Sequence, residues 1–144
     1  MTKQSQQSKC YAAALKMLIR REYSKLELLQ KLNLKGFDDS VINYSITLLA
    51  DQKYQSDKRF SEAFILMRFN QGKGPVKISM ELKSRGVSKF DLTLFNWLEL
   101  AKDVKCKKFG DSKFLDYKEK AKQKRFLQSR GFGFDEINQA FQQN

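Results

Sequence analysis

One pattern, Leu-x-x-(Lys/Arg)-Gly-(apolar), occurs three times in this 144-residue chain, over Leu32–Phe37, Leu82–Val87 and Leu127–Phe132. Its glycines, Gly36, Gly86 and Gly131, lie 50 and 45 residues apart, and a large aliphatic (Ile42, Leu92, Ile137) stands six residues after each. A glycine just past an apolar stripe supplies the left-handed turn that ends a helix. The cation before it suits the negative end of that helix, and the apolar residue after it can fold back over the last turn. Each glycine therefore reads as a helix stop rather than a phosphate loop. Recurrence at this spacing is the mark of a repeat architecture, here with three units.

The helical reading extends between the glycines. Apolar residues recur at three and four positions: Leu15, Leu18 and Ile19; Leu28, Leu29 and Leu32; Ile42, Ile46 and Leu49; Phe60, Ala63, Phe64 and Met67; Ile78 and Leu82; Trp97, Ala101 and Val104. Ser24-Lys25-Leu26-Glu27 has the form of a capping box. Pro75, the single proline, follows Gly74 where a first helical turn has no hydrogen bond to lose. Asp38, Ser88 and Asp135 suit N-terminal caps or first-turn positions. The expected helices are 10–22, 24–35 and 39–52; 57–71, 75–85 and 88–95; and 96–109, 117–130 and 134–142. The fold class is all-α: three tandem three-helix repeats, about nine helices, at 9–53, 54–95 and 96–144, after a flexible polar tail at 1–8. Units this small need neighbours to complete a core, so an elongated, curved array is expected.

Composition narrows the chemistry. The chain has no histidine, which excludes Ser-His, Cys-His and His-metal sites, and its two cysteines, Cys10 and Cys106, form neither a disulfide framework nor a zinc site. They read as buried or incidental thiols. No apolar run is long enough to span a membrane and the first ten residues have no secretion-signal core, so a cytoplasmic protein without a membrane partner is expected. The acid pairs Asp38-Asp39 and Asp135-Glu136 begin helices and read as dipole partners, not as a catalytic dyad. No catalytic group, metal or cofactor is expected.

The net charge of +12 is the functional signal. It rises along the chain, +3 over 1–51, +4 over 52–101 and +5 over 102–144, and one sign dominating throughout fits a polyanionic partner. The densest run is Lys118, Lys120, Lys122, Lys124, Arg125 and Arg130. On a helix Lys118, Lys122 and Arg125 share one side, with Lys120 and Lys124 beside it, an arrangement whose self-repulsion favours an opposing anionic surface. Further candidates are Arg59, Arg68, Lys83 and Arg85 in the middle unit and Arg20, Arg21, Lys25 and Lys35 in the first, with Arg85 and Arg130 also explained as helix-end cations. Gln71-Gly72-Lys73-Gly74-Pro75 lacks P-loop spacing, but Lys73 and Lys77 stand at a helix N-terminus whose free amides would favour an anion. Lysine outnumbers arginine 21 to 7, so little base-sequence specificity is expected. Phe60, Phe64, Phe95 and Trp97 read as core, while Tyr23, Tyr54 and Tyr117 are open to base stacking.

The ordered motifs resemble the bacterial RecX family over about residues 9–141. The first unit carries Ala14-Leu15, Leu18, Arg21-Glu22-Tyr23-Ser24, Glu27-Leu28, Lys31-Leu32, Lys35-Gly36-Phe37 and Ile42. The second carries Asp57, Arg59-Phe60, Ala63-Phe64, Gly72-Lys73-Gly74-Pro75, Ile78, Glu81-Leu82 and Arg85-Gly86-Val87. The third carries Asp116 to Lys124 unbroken, Arg125-Phe126-Leu127, Arg130-Gly131-Phe132 and Ile137. Between Gly86 and Asp116 the chain departs from the family, with aromatics and lysines where a more acidic helix is expected.

The resemblance implies a non-enzymatic regulator of the recombinase RecA, acting in DNA repair and the SOS response. Such a protein lies in the groove of the RecA filament on single-stranded DNA and limits its extension or promotes its disassembly. Strand exchange, ATP hydrolysis and co-protease activity are damped as a result. The expected partners are the RecA filament and single-stranded DNA, met by a monomer. Two rivals stand beside this reading: a helix-turn-helix-like protein binding duplex DNA without RecA, and an all-α scaffold for acidic proteins.

Overall fold

The computed structural model describes residues 2–111 and 114–142, and among them the only regular elements are helices. There are eight: α1 (Lys3–Arg20), α2 (Lys25–Leu34), α3 (Asp39–Asp51), α4 (Asp57–Asn70), α5 (Pro75–Ser84), α6 (Trp97–Phe109), α7 (Tyr117–Ser129) and α8 (Phe134–Ala140). The all-α repeat expectation holds, with one helix fewer. The segment 88–95 forms turns and loop because its polar side chains bond locally. Asp91 Oδ1 accepts from the Thr93 amide at 2.8 Å and from the Thr93 hydroxyl at 2.6 Å, and the Trp97 indole donates to the Leu92 carbonyl at 2.7 Å. Ser88 therefore caps no helix.

At the other end of the chain the helix is longer than expected. Thr2 accepts from the Ser5 amide at 3.1 Å, and with no glycine or proline before Arg20 the polar segment 3–8 forms the opening turns of α1.

The glycine stops have the geometry read from the sequence. Gly36, Gly86 and Gly131 adopt φ of 92°, 79° and 98°. In each case the residue after the glycine bonds the carbonyl five back: Phe37 to Leu32 at 3.3 Å, Val87 to Leu82 at 3.0 Å, and Phe132 to Leu127 at 3.2 Å. This is the Schellman closure. Two further helices end the same way. Lys73 bonds the Arg68 carbonyl past Gly72, and Tyr54 bonds the Leu49 carbonyl past Lys53, which holds φ 67° without being glycine.

Contacts divide the chain into two compact units, Met1–Ala63 with Leu82–Phe90, and Phe64–Glu81 with Asp91–Asn144. In the first, α1 and α2 pack on α3 around Cys10, Ala14, Leu28, Leu32, Val41, Ile42, Ile46 and Leu49. The expected α1 stripe is rotated: small Cys10 and Ala14 sit at the contact, Leu15 and Leu18 are half-buried, and Ile19 is 77% exposed. In the second unit, α6, α7 and α8 enclose Ala101, Leu127, Phe132, Ile137 and Ala140. On α4 the buried positions are Phe60, Ser61, Phe64 and Ile65, whereas Ala63 and Met67, expected inside, face out.

The same joint is built inside each unit. In the first, Ser24 caps α2 by accepting from the Glu27 amide, Glu27 reaches back to the Ser24 amide, and the Ser24 hydroxyl donates to the Arg85 carbonyl at 2.8 Å. A Cβ on the neighbouring Gly86 would lie 2.8 Å from Leu26 Cβ. In the second, the Gly74 amide donates to the Arg130 carbonyl at 2.8 Å, the Val76 amide donates to the Gly131 carbonyl at 2.9 Å, and a Cβ on Gly131 would lie 2.2 Å from Lys77 Cβ. The cation–glycine stop of one repeat is thus seated on the first turn of the preceding repeat's middle helix.

Candidate nucleic-acid interface

In the first unit, three of the sequence-selected cations are held by acids. Glu27 gathers two of them: Arg21 at 3.4 Å and Arg85 at 3.7 Å. Arg21 also donates to the Glu22 carbonyl at 2.7 Å and lies 3.6 Å from the centre of the Tyr23 ring, which occupies that tyrosine. Arg59 pairs with Glu22 at 2.9 Å and donates to the Lys53 carbonyl at 2.7 Å. Such partly exposed pairs contribute about 0–1 kcal/mol each, but they orient the side chains along the protein. Lys25 contributes its amide to Asp57 at 2.9 Å and leaves its ammonium exposed. Arg20, Lys35 and Lys83 are exposed at the ends of α1, α2 and α5, without an acid partner among the described residues.

In the second unit, Arg68 is turned inward. It pairs with Glu81, donates to Gln71 Oε1 at 2.9 Å and lies 5.3 Å from the Phe64 ring centre. Lys73 and Lys77 are half-buried. Burial, followed by the nearby charges of Arg130, Lys77 and Arg68, holds the Lys73 ammonium below the usual lysine range, with Glu81 opposing. The expectation of free amides at the start of α5 is corrected: the carbonyls of Arg130 and Gly131 take them, including the Lys77 amide at 3.4 Å.

On α7, Lys118, Lys122 and Arg125 are exposed on one side as expected. Lys120 and Lys124 turn to a different neighbour. With Lys105 of α6 they gather at the Phe141 ring, at 6.0, 5.5 and 4.4 Å from its centre, and Lys124 donates to Asn138 at 3.2 Å. Arg130 and Lys108 lie 5.0 and 5.6 Å from the centre of Phe126. The sequence reading did not select Lys105, Lys107 or Lys108; the cation run closing α6 was the signal available. Tyr54 and Tyr117 are exposed, and Phe95 and Trp97 form a half-buried cluster with Phe69.

Among the described residues, no group of three or more His, Cys, Asp or Glu is placed to hold a metal, and no helix is long and apolar enough to cross a membrane. What remains is a cationic surface mounted on modules of short helices, the architecture of a tandem three-helix-repeat protein. Family models match the chain in three stretches. Those of the first, second and third three-helix domains of RecX match residues 10–48, 56–92 and 97–141. The chain belongs to the RecX family. It is 41% identical over 140 residues to the regulatory protein RecX of Acinetobacter baylyi, covering 92% of this chain and 86% of that one. With the same-named protein of Legionella pneumophila (strain Corby) it shares 39% over 142 residues, 94% and 95% of the two chains. The crystal structure of RecX from Lactobacillus salivarius superposes with a TM-score of 0.78 at 23% identity, covering 94% of each chain. A second crystal structure, of regulatory protein RecX, gives 0.79 at 20% identity over 94% of this chain and 72% of that one.

Proposed function

We propose that this chain regulates RecA by binding its filament on single-stranded DNA, limiting filament growth and so damping recombinase, ATPase and co-protease activity. The observation that carries the reading is the match of all three RecX modules, in order, along the chain. The surface chemistry is compatible with it. Arg20, Lys25, Lys35, Lys83, Lys118, Lys122 and Arg125 project exposed charge, while Arg21, Arg59, Arg68 and Arg85 are engaged with acids of the fold. The first set offers contacts to phosphates or acidic RecA groups; the second holds the helices that carry them. Lys118, Lys122 and Arg125 extend over about 10 Å of α7, one face for an extended anionic polymer. The action is by binding rather than catalysis.

The test is RecA ATPase on single-stranded DNA, titrated with this protein far below one copy per RecA. Potent inhibition is the expected result. Inhibition only once the DNA lattice is saturated means simple competition for DNA and overturns the reading in favour of a DNA-binding protein that acts without RecA.

A further inference from the structure

The second unit contains a cleft of about 360 Å³ that the charge-based reading of the surface leaves unused. It lies at the meeting of the end of α4, one side of α6 from Leu100 to Lys108, and the C-terminal end of α7. The volume is at the lower end of the roughly 300–1,000 Å³ typical of small-molecule sites. Its apolar lining comes from Phe69, Leu100, Val104 and Phe126. Lys107, Lys108 and Arg130 also line it, against one acid, Asp103. Two aromatic rings combined with three cations match the two halves of a nucleotide. The rings offer a planar base aromatic contact, and the cations, of which Arg130 and Lys108 already lie near the Phe126 ring, offer its phosphate charge-assisted hydrogen bonds.

We propose that this cleft holds one nucleotide unit, its base against Phe69 and Phe126 and its phosphate at Lys107, Lys108 and Arg130. Like-charge crowding supports the placement: Lys107, Lys108 and Arg130 line the cleft against the single acid Asp103. A bound phosphate relieves that repulsion. An acidic peptide could satisfy the cations, but two rings beside them favour a flat group directly joined to its anion. The same chemistry is presented by a nucleotide within a strand and by a free one. The strand as source rests on the function proposed above; the site itself does not.

The protein carries its own reporter. Trp97, the only tryptophan, has its ring centre 5.5 Å from that of Phe69. Its emission is followed in the full chain, without RecA, against a short oligodeoxythymidylate, an abasic oligomer of the same length, and thymidine monophosphate. The oligodeoxythymidylate is expected to change Trp97 emission and to bind about tenfold more tightly than the abasic strand. Val104→Phe, which fills the cleft, is expected to bring that ratio to about one. The paired change Lys107→Gln and Lys108→Gln weakens both strands together. Monophosphate competing as well as the oligomer identifies a free-nucleotide site; competing only at far higher concentration identifies a strand. Either outcome supports nucleotide chemistry.

Equal binding of the two oligomers by the natural chain overturns the proposal, as does a ratio that survives Val104→Phe. A glutamate-rich peptide containing phenylalanine that shifts Trp97 where nucleotides do not also overturns it. If Val104→Phe fails to fold, photo-crosslinking of a 5-iodouracil oligomer decides: adducts on Phe69 or Phe126 support the site, and adducts only elsewhere reject it. Because RecA is absent throughout, failure here is distinct from failure of the RecA assay.

Discussion

The Arg85 carbonyl receives the Ser24 hydroxyl at 2.8 Å, and that bond ties the end of one repeat's middle helix to the start of another's. Gly74 stands 50 residues after Ser24 and treats the Arg130 carbonyl likewise, also at 2.8 Å. In one joint a side-chain hydroxyl donates and in the other a backbone amide, but the same position does so in both. The glycine is therefore more than a helix stop. Its missing side chain leaves room for another helix's first turn.

That double role separates the three glycines by experiment. Gly36 has nothing within 4 Å of where a Cβ would be, whereas at Gly131 the Cβ would fall 2.2 Å from Lys77 Cβ. Gly36→Ala meets only the left-handed backbone cost, about 1 kcal/mol. Gly131→Ala adds a steric conflict with the Cβ and backbone of Lys77, and a total near 3 kcal/mol is expected. Urea denaturation of the two variants measures the difference; equal costs would mean that the close approach at Gly131 relaxes freely.

Lys53 is the one non-glycine residue with positive φ among those described, and it closes α3 with the bonds that glycine makes elsewhere. Its carbonyl, which receives Arg59, is backbone and survives any substitution. Lys53→Gly removes the side-chain penalty of the left-handed turn and is expected to stabilise the chain by about 0.5–1 kcal/mol. That amounts to a rise of about 1–4 °C in a thermal melt. A fall instead would show that glycine's greater freedom in the unfolded chain outweighs the relief.

The parts of this fold that were legible in the sequence are those fixed by near neighbours. The Ser24–Glu27 box, the three glycine closures and the exposed side of α7 all depend on residues a few positions apart. What could not be read depends on distant partners. Arg59 is matched with Glu22, 37 positions away, and Arg85 with Glu27 across two helices, so cations that looked available are engaged. Lys120 and Lys124 belong with Lys105 only because α8 delivers Phe141 between them. At 88–95 the local signals conflicted, and the Asp91–Thr93 turn prevailed over an apolar spacing too weak to nucleate a helix.

The two thiols provide a check on the first core. Cys10 is fully buried beside Ala14 and Leu28, and burial raises its pKa, with the Ser45 side chain opposing; Cys106 is exposed on α6. The thiolate is the reactive form, so Cys10 is protected by inaccessibility and by its protonation state together. A thiol reagent at pH 8 is expected to modify Cys106 rapidly and Cys10 only in step with unfolding. Rapid modification of both under native conditions would contradict the packing of α1 on α3.

Charge reversal separates cations that bind from cations that build. Lys118, Lys122 and Arg125 are exposed and have no acid partner among the described residues, so replacing all three by glutamate leaves the core contacts of α7 in place. Unfolding stability is expected to change by less than about 1 kcal/mol, because surface substitutions away from packing usually have small effects. Affinity for single-stranded DNA, by contrast, should fall and lose salt dependence. A surface making about 6 phosphate contacts loses on the order of 10³-fold in affinity between 50 and 200 mM salt, and each contact removed flattens that slope. Arg59→Gln and Arg85→Gln supply the opposite case, since their partners Glu22 and Glu27 lie within the protein. Those changes should lower the denaturation midpoint while the salt slope stays where it was. The triple variant retaining the full slope would remove α7 from the proposed interface and leave Arg20, Lys25, Lys35 and Lys83 as its candidate cations.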